Sequence, residues 1–151
     1  MPGSSLSEFA DKMNEIMPVL LKEFSRRHMQ EFKGKITLPQ FLVLGFLHSN
    51  GPSNMSDLAH FMNVTTAAMT GIVSRLVRDG YLVRVYDDKD RRMIKVKLTV
   101  EGNALVKEIN QHKRRMLIRI FSAISVDDRR QYLRIVTRIK DILLEDNLDN
   151  K

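Results

Sequence analysis

Residues Thr65 to Thr99 read TTAAMTGIVSRLVRDGYLVRVYDDKDRRMIKVKLT, and this stretch decides the fold because it spells one helix, one glycine stop and one basic hairpin. Met69, Ile72, Val73 and Leu76 recur at i, i+3, i+4 and i+7, which buries one face of a helix. The opposite face carries Thr66, Ala67, Thr70, Gly71 and Ser74, all small, where a solvated face ordinarily carries Glu and Lys. Small side chains let a helix backbone sink into a groove. Gly71 inside a helix costs about 1 kcal/mol against Ala, so close approach to another surface is the reason its presence suggests. Helix, stop and hairpin in this order predict a winged helix-turn-helix that reads DNA.

Leu82 to Tyr86 and Ile94 to Leu98 are β-rich runs, the second alternating Ile94, Val96 and Leu98 inward with Lys95 and Lys97 outward. Between them Asp87-Asp88-Lys89-Asp90-Arg91-Arg92-Met93 forms a polar turn with three cations near its tip. Its aspartates suit a turn, because Asp side chains bond their own backbone. They do not suit a calcium loop, which needs a glycine after the third acidic position and a closing bidentate Glu. Asp90 is expected to pair with the Arg92 side chain and fix its guanidinium, and an oriented arginine is what a narrow minor groove attracts.

Outward from this stretch, the chain of 151 residues is long enough for one domain with a core of its own, and 43% hydrophobic with 28% charged residues is globular composition. No apolar run approaches the roughly 20 residues of a membrane span, and MPGSSLSEF at the start has neither a basic nor an apolar leader region. A soluble, cytoplasmic protein with no membrane partner is expected. The absence of cysteine excludes disulfides, thiol nucleophiles, thiolate zinc sites and cysteine-based peroxide sensing. A formal net charge of +7 favours a polyanionic partner.

Leu6, Phe9, Met13, Ile16 and Leu20 mark a first amphipathic helix from Leu6 to Glu31, with a kink or break near Met17 imposed by Pro18. Lys33-Gly34-Lys35 is a short link, and Thr37-Leu38-Pro39-Gln40 has capping-box spacing, with Ile36 and Phe41 placed as a hydrophobic staple. That helix is expected to run to Leu47 or His48 and stop at Asn50-Gly51-Pro52. Asn54 to Asp57 opens another, buried through Met55, Leu58, Ala59 and Met62, and Asn63-Val64 turns the chain into the helix capped by Thr65. A cap aimed at DNA leaves backbone N–H groups for a phosphate. Thr99 caps a long helix reaching Ala123, and a last helix runs from Ser125 or Val126 to Glu145, striped by Tyr132, Ile135, Val136, Ile139, Ile142 and Leu143.

The fold class expected is mainly α with a small β-hairpin wing (α+β): a winged helix-turn-helix with long N- and C-terminal dimerisation helices. One domain, 1–151, holds a DNA-binding lobe over 36–99 and a helical region over 6–31 and 100–147. The apolar stripes of the end helices need a cover. A two-fold dimer supplies one and suits DNA, whose half-sites repeat every ~34 Å.

Asp90-Arg91-Arg92, Val96, Leu98-Thr99 and Gly102 resemble the DxR...LTxxG wing signature of the MarR family of multiple-antibiotic-resistance-type regulators. Leu58-Ala59, Thr70 to Val73, Arg75-Leu76 and Gly80 to Arg84 resemble that family's helix-turn-helix and strand entry, so the likeness spans nearly the whole chain. It implies a homodimer of six-helix subunits, usually a repressor on a palindromic operator whose affinity for double-stranded DNA falls when a small molecule binds. In that pattern Thr65, Thr66, Ala67 and Thr70 meet major-groove bases, Ser74 and Arg75 meet or approach phosphate, and Arg92, beside Arg91 and braced by Asp90, enters the minor groove. Family effectors are often aromatic anions, and Phe46, His48 and Met55 are placed to line a pocket for a small aromatic or amphipathic one, although Phe and Met on a helical stripe also suit plain core. The chain departs from the family at Asn63, where glycine is common. It lacks the cysteine of the peroxide sensors, and its four histidines, His28, His48, His60 and His112, are scattered with no carboxylate set of the zinc-sensing kind.

Two other classes compete. A winged helix that only dimerises or docks on proteins needs neither a basic wing nor a small-residue helix face, and this chain has both. An enzyme needs a catalytic constellation, and GxSxG, HExxH, a phosphate-binding glycine loop and a cysteine nucleophile are all missing, as is any cofactor motif.

Overall fold

The computed structural model describes residues 5–87, 89–90 and 92–149, with side chains to residue 145. Six helices and three strands follow in the order α1 (Leu6–Gln30), α2 (Leu38–Asn50), β1 (Ser53–Asn54), α3 (Met55–Met62), α4 (Thr66–Arg78), β2 (Leu82–Tyr86), β3 (Ile94–Leu98), α5 (Val100–Phe121) and α6 (Val126–Asp149). The chain divides into two compact units, one up to His112 and one from Lys113, so that α1 and the first half of α5 belong with the winged lobe.

Ser5 starts α1 through a capping box: its Oγ accepts the N–H of Glu8 at 3.3 Å, and the Glu8 carboxylate accepts the N–H of Ser5 at 3.0 Å. Of the kink or break expected near Met17, the break does not occur: α1 is continuous through Met17 and Pro18. A proline removes one hydrogen bond locally, and long helical flanks on both sides propagate across that loss. At the head of α2, Gln40 Oε1 accepts the N–H of Thr37 at 2.8 Å and its hydroxyl at 3.1 Å. Ile36 is buried and Phe41 packs against the core. The helix runs to Asn50, past the expected His48, where the Asn50 amide donates to the Phe46 carbonyl at 2.9 Å and Gly51 leaves the helix at φ 77°.

The sheet is antiparallel in the order β1-β3-β2. Its hairpin register pairs Leu82 with Leu98, Arg84 with Val96 and Tyr86 with Ile94. Strand β1, two residues set against Val96 and Lys95, was not anticipated, because two residues carry no period. Val96 is fully buried, whereas Ile94 is 48% exposed and corrects the expectation of an inward side chain. Ile94 stands on the last rung, where the hairpin has left the core behind.

The core joins Val43 and Leu44 of α2, Leu58 of α3, Met69, Val73 and Leu76 of α4, Leu82 and Val96 of the sheet, and Leu105, Val106 and Ile109 of α5. Thr99 fastens α5 to it by accepting the N–H of Gly102 at 3.0 Å and donating to the carbonyl of Gly80 at 2.7 Å. His112 ties α5 to the end of α1: one ring nitrogen pairs with the Glu31 carboxylate, and the other lies 3.3 Å from the carbonyl of Arg27. Helix α5 stops at Phe121, short of the expected Ala123. Helix α6, capped by Ser125, runs four residues beyond the expected Glu145. All its side chains from 126 to 145 are exposed, the apolar stripe included.

Candidate nucleic-acid interface

Helix α3, the turn and α4 place the predicted reading face on the surface. Asn54 caps α3, its side chain accepting the N–H of Asp57 at 2.8 Å. Asn63 then takes the left-handed conformation, φ 50° and ψ 47°, which asparagine tolerates better than most residues. Thr65 is the N-cap of α4, as expected, with its Oγ1 accepting the N–H of Ala68 at 3.1 Å. Met69, Val73 and Leu76 are buried beneath, and Thr65, Thr66, Ala67, Thr70, Gly71, Ser74 and Arg75 are exposed above.

Two features of that face suit a groove. The Thr70 hydroxyl donates to the carbonyl of Thr66 at 2.8 Å, so its proton is held and its oxygen is left to accept. A Cβ on Gly71 would meet nothing within 4 Å, so no contact among the described residues requires glycine there. Ser74 is engaged from the sheet: Arg84 Nη2 donates to its Oγ at 2.9 Å. Arg84 was missed as a site residue. Its signal was a cation standing two residues after the buried Leu82 in a strand of otherwise apolar residues.

The wing is built from its own aspartates. Asp87 accepts the N–H of Lys89 at 2.8 Å, and Asp90 accepts the N–H of Arg92 at 2.9 Å. The N–H of Asp87 donates to the carbonyl of Met93 at 2.9 Å and closes the hairpin. The expected pairing of Asp90 with the Arg92 side chain is therefore corrected. The short Asp90 carboxylate reaches the backbone two residues on, as aspartates in turns do, and holds the segment that carries Arg92 rather than its guanidinium. Arg92 is exposed, while Arg91 and Asp88 lie outside the described residues. Lys95 grips the base of the wing at 2.6 Å from Asp87, and its ammonium holds the Asp87 carboxyl below the usual carboxylate range, helped by the Lys89 N–H.

The residues considered for an effector differ in burial. Phe46 lies against Phe61 with the rings tilted and their centroids 4.5 Å apart and, like Met55, packs against the core, whereas His48 is exposed. Among the described residues no group of three or more His, Asp or Glu side chains is placed to hold a metal, and no helix is long and apolar enough to cross a membrane.

Residues 36–94, from the end of the first link to the second wing strand, match the model of the MarR family. Over these residues the chain carries a MarR-family domain. Similarity to known regulators covers more than that lobe: the helix-turn-helix-type transcriptional repressor YetL of Bacillus subtilis (strain 168) is 35% identical over 104 residues, 69% of this chain and 58% of its own length. The chain likewise spans 61% of the regulator YkoM of the same organism, less than two thirds in both cases. A MarR family protein from Bacillus stearothermophilus superposes with a TM-score of 0.84 at 18% identity, covering 93% of this chain and 99% of that one, which shows the shared fold. RV1404 from Mycobacterium tuberculosis superposes with a TM-score of 0.78 at 26% identity, covering 93% and 95%.

Proposed function

We propose that this chain is a homodimeric DNA-binding transcriptional regulator of the MarR family, a repressor released from a palindromic operator by a small molecule, with no catalytic step of its own. The observation that carries the reading is the exposed face of α4. It has no large side chain from Thr66 to Ser74, it has a glycine that nothing among the described residues explains, and it is flanked by a wing bearing Arg92. Thr65, Thr66, Ala67 and Thr70 meet base edges in the major groove, Ser74 and Arg75 approach phosphate, and Arg92, with Arg91 beside it, enters the minor groove. A regulator of this kind works in the cytoplasm, where it meets its DNA.

Repression is supported by the relative YetL, which is named a repressor. Dimerisation is supported by the apolar side chains left exposed on α1 and on α6. An aromatic or amphipathic effector would act near Phe46, His48 and Met55. Thr70→Glu tests the docking, because it sets a carboxylate against base edges and phosphate. The variant should fold as the parent does, since Thr70 is exposed, and lose operator binding by at least a hundredfold in a gel-shift titration. Parental affinity in this variant would contradict the docking.

A further inference from the structure

We infer that a phosphate-binding surface extends the DNA footprint beyond the recognition face, where Lys35 before α2 and Arg78 at the end of α4 join Arg75; it rests on the DNA reading above. A polar cavity of about 410 Å³ opens between these two elements, lined by Lys35, Thr37, Gln40, Arg75, Arg78 and Asp79. Three cations face one carboxylate there. Asp79 accepts from Arg78 Nε at 3.1 Å, which leaves the terminal nitrogens of that guanidinium unengaged by Asp79. Among the described residues Lys35 and Arg75 have no acidic partner within ion-pair distance. Gathering like charges around a cavity with so little neutralisation favours an anion in it.

The position of the cavity selects the anion. Arg78 follows Ser74 by four residues, so it continues the small-residue face of α4 by one turn. A helix of 13 residues is about 20 Å long, and the major groove is only about 12 Å wide. When the small residues of the first turns lie over base edges, the last turn overhangs the strand that borders the groove. A sugar-phosphate backbone then passes the end of α4 and meets Lys35 from the neighbouring link. Arginine and lysine are the side chains that backbone phosphates recruit, and such contacts fix register without reading sequence.

The test is a salt titration of binding by fluorescence anisotropy, on the full chain, with the selected operator and with a scrambled duplex. Removing two phosphate contacts with Lys35→Gln and Arg78→Gln together should lower the slope of log affinity against log salt by about 2. Affinity should fall by the same factor on both duplexes, with an unchanged melting temperature. Lys35→Glu alone, at an exposed turn position, should lower the slope by about 1 or more and guards against a folding defect in the double variant. If the parent binds operator and both variants keep its slope, this surface is wrong while the DNA reading stands. If inorganic phosphate raises the melting temperature of the parent but not of the double variant, and the slopes agree, the cavity holds a free anion and the DNA contact is overturned. A parent that binds no duplex at any salt overturns both.

Discussion

A Cβ on Gly102 would collide with the carbonyl oxygen of Tyr81, the same oxygen that accepts the N–H of Thr99 at 3.1 Å. The glycine of the LTxxG pattern therefore stands where the first turn of α5 lies against the backbone entering β2. Gly102→Ala should cost about 3 kcal/mol or more, beyond ordinary overpacking because the obstacle is backbone, and a urea melt of the parent and variant measures it. Gly71 differs, since its surroundings are open and only an external surface gives it a reason. Sequence analysis already assigned Gly71 to close approach to another surface, whereas Gly102 stood only as part of a pattern, because its obstacle, the Tyr81 carbonyl, is brought in from elsewhere in the chain. Thr65, Thr37 and Asn54 were legible because a cap bonds three residues away and leaves its mark in local spacing. The bond from Arg84 to Ser74 joins residues ten apart on different elements and left no such mark.

At the level of elements, the wing depends on acid chemistry more than its basic composition suggests. Asp87 bonds Lys95 across the hairpin and the Lys89 N–H along it, and both hold its carboxyl below the ordinary aspartate range. A carboxyl depressed in the folded state contributes its stabilisation above the ordinary aspartate value, and that contribution is lost as pH falls through the folded value. The wing should therefore fray in acid below pH about 4 before the core melts, seen as selective loss of the amide signals of Lys89 and Lys95. Asp87→Asn should remove that acid step and loosen the wing at neutral pH; an acid transition unchanged in the variant would contradict the role. Strand limits at Leu82, Tyr86, Ile94 and Leu98 were legible from β-rich runs bounded by turn residues. The exposure of Ile94 was not, because alternation gives the face of a side chain and not where the core ends along the strand.

For the whole molecule, the end helices carry the remaining question of partners. Tyr132, Ile135, Val136, Ile139 and Ile142 recur at helical spacing along α6 and all are exposed, an arrangement suited to a second copy of the chain. Ile139→Asp should convert a dimer to monomers in sedimentation and lower operator affinity, because a monomer reads one half-site; a parent that sediments as a monomer would contradict the dimer. Helices of this length were legible from their periodicity, but a stripe says only that something covers it. The measurement that bears most directly on the central claim is fluorescence anisotropy of the protein on duplexes recovered by repeated selection from a random pool, with salt varied. The expected result is a palindrome with half-sites about one helical turn apart and log affinity falling steeply against log salt. Weak binding, indifferent to sequence and gone at moderate salt, would mean that net charge alone draws this chain to DNA, and would contradict a reader built on α4 and its wing.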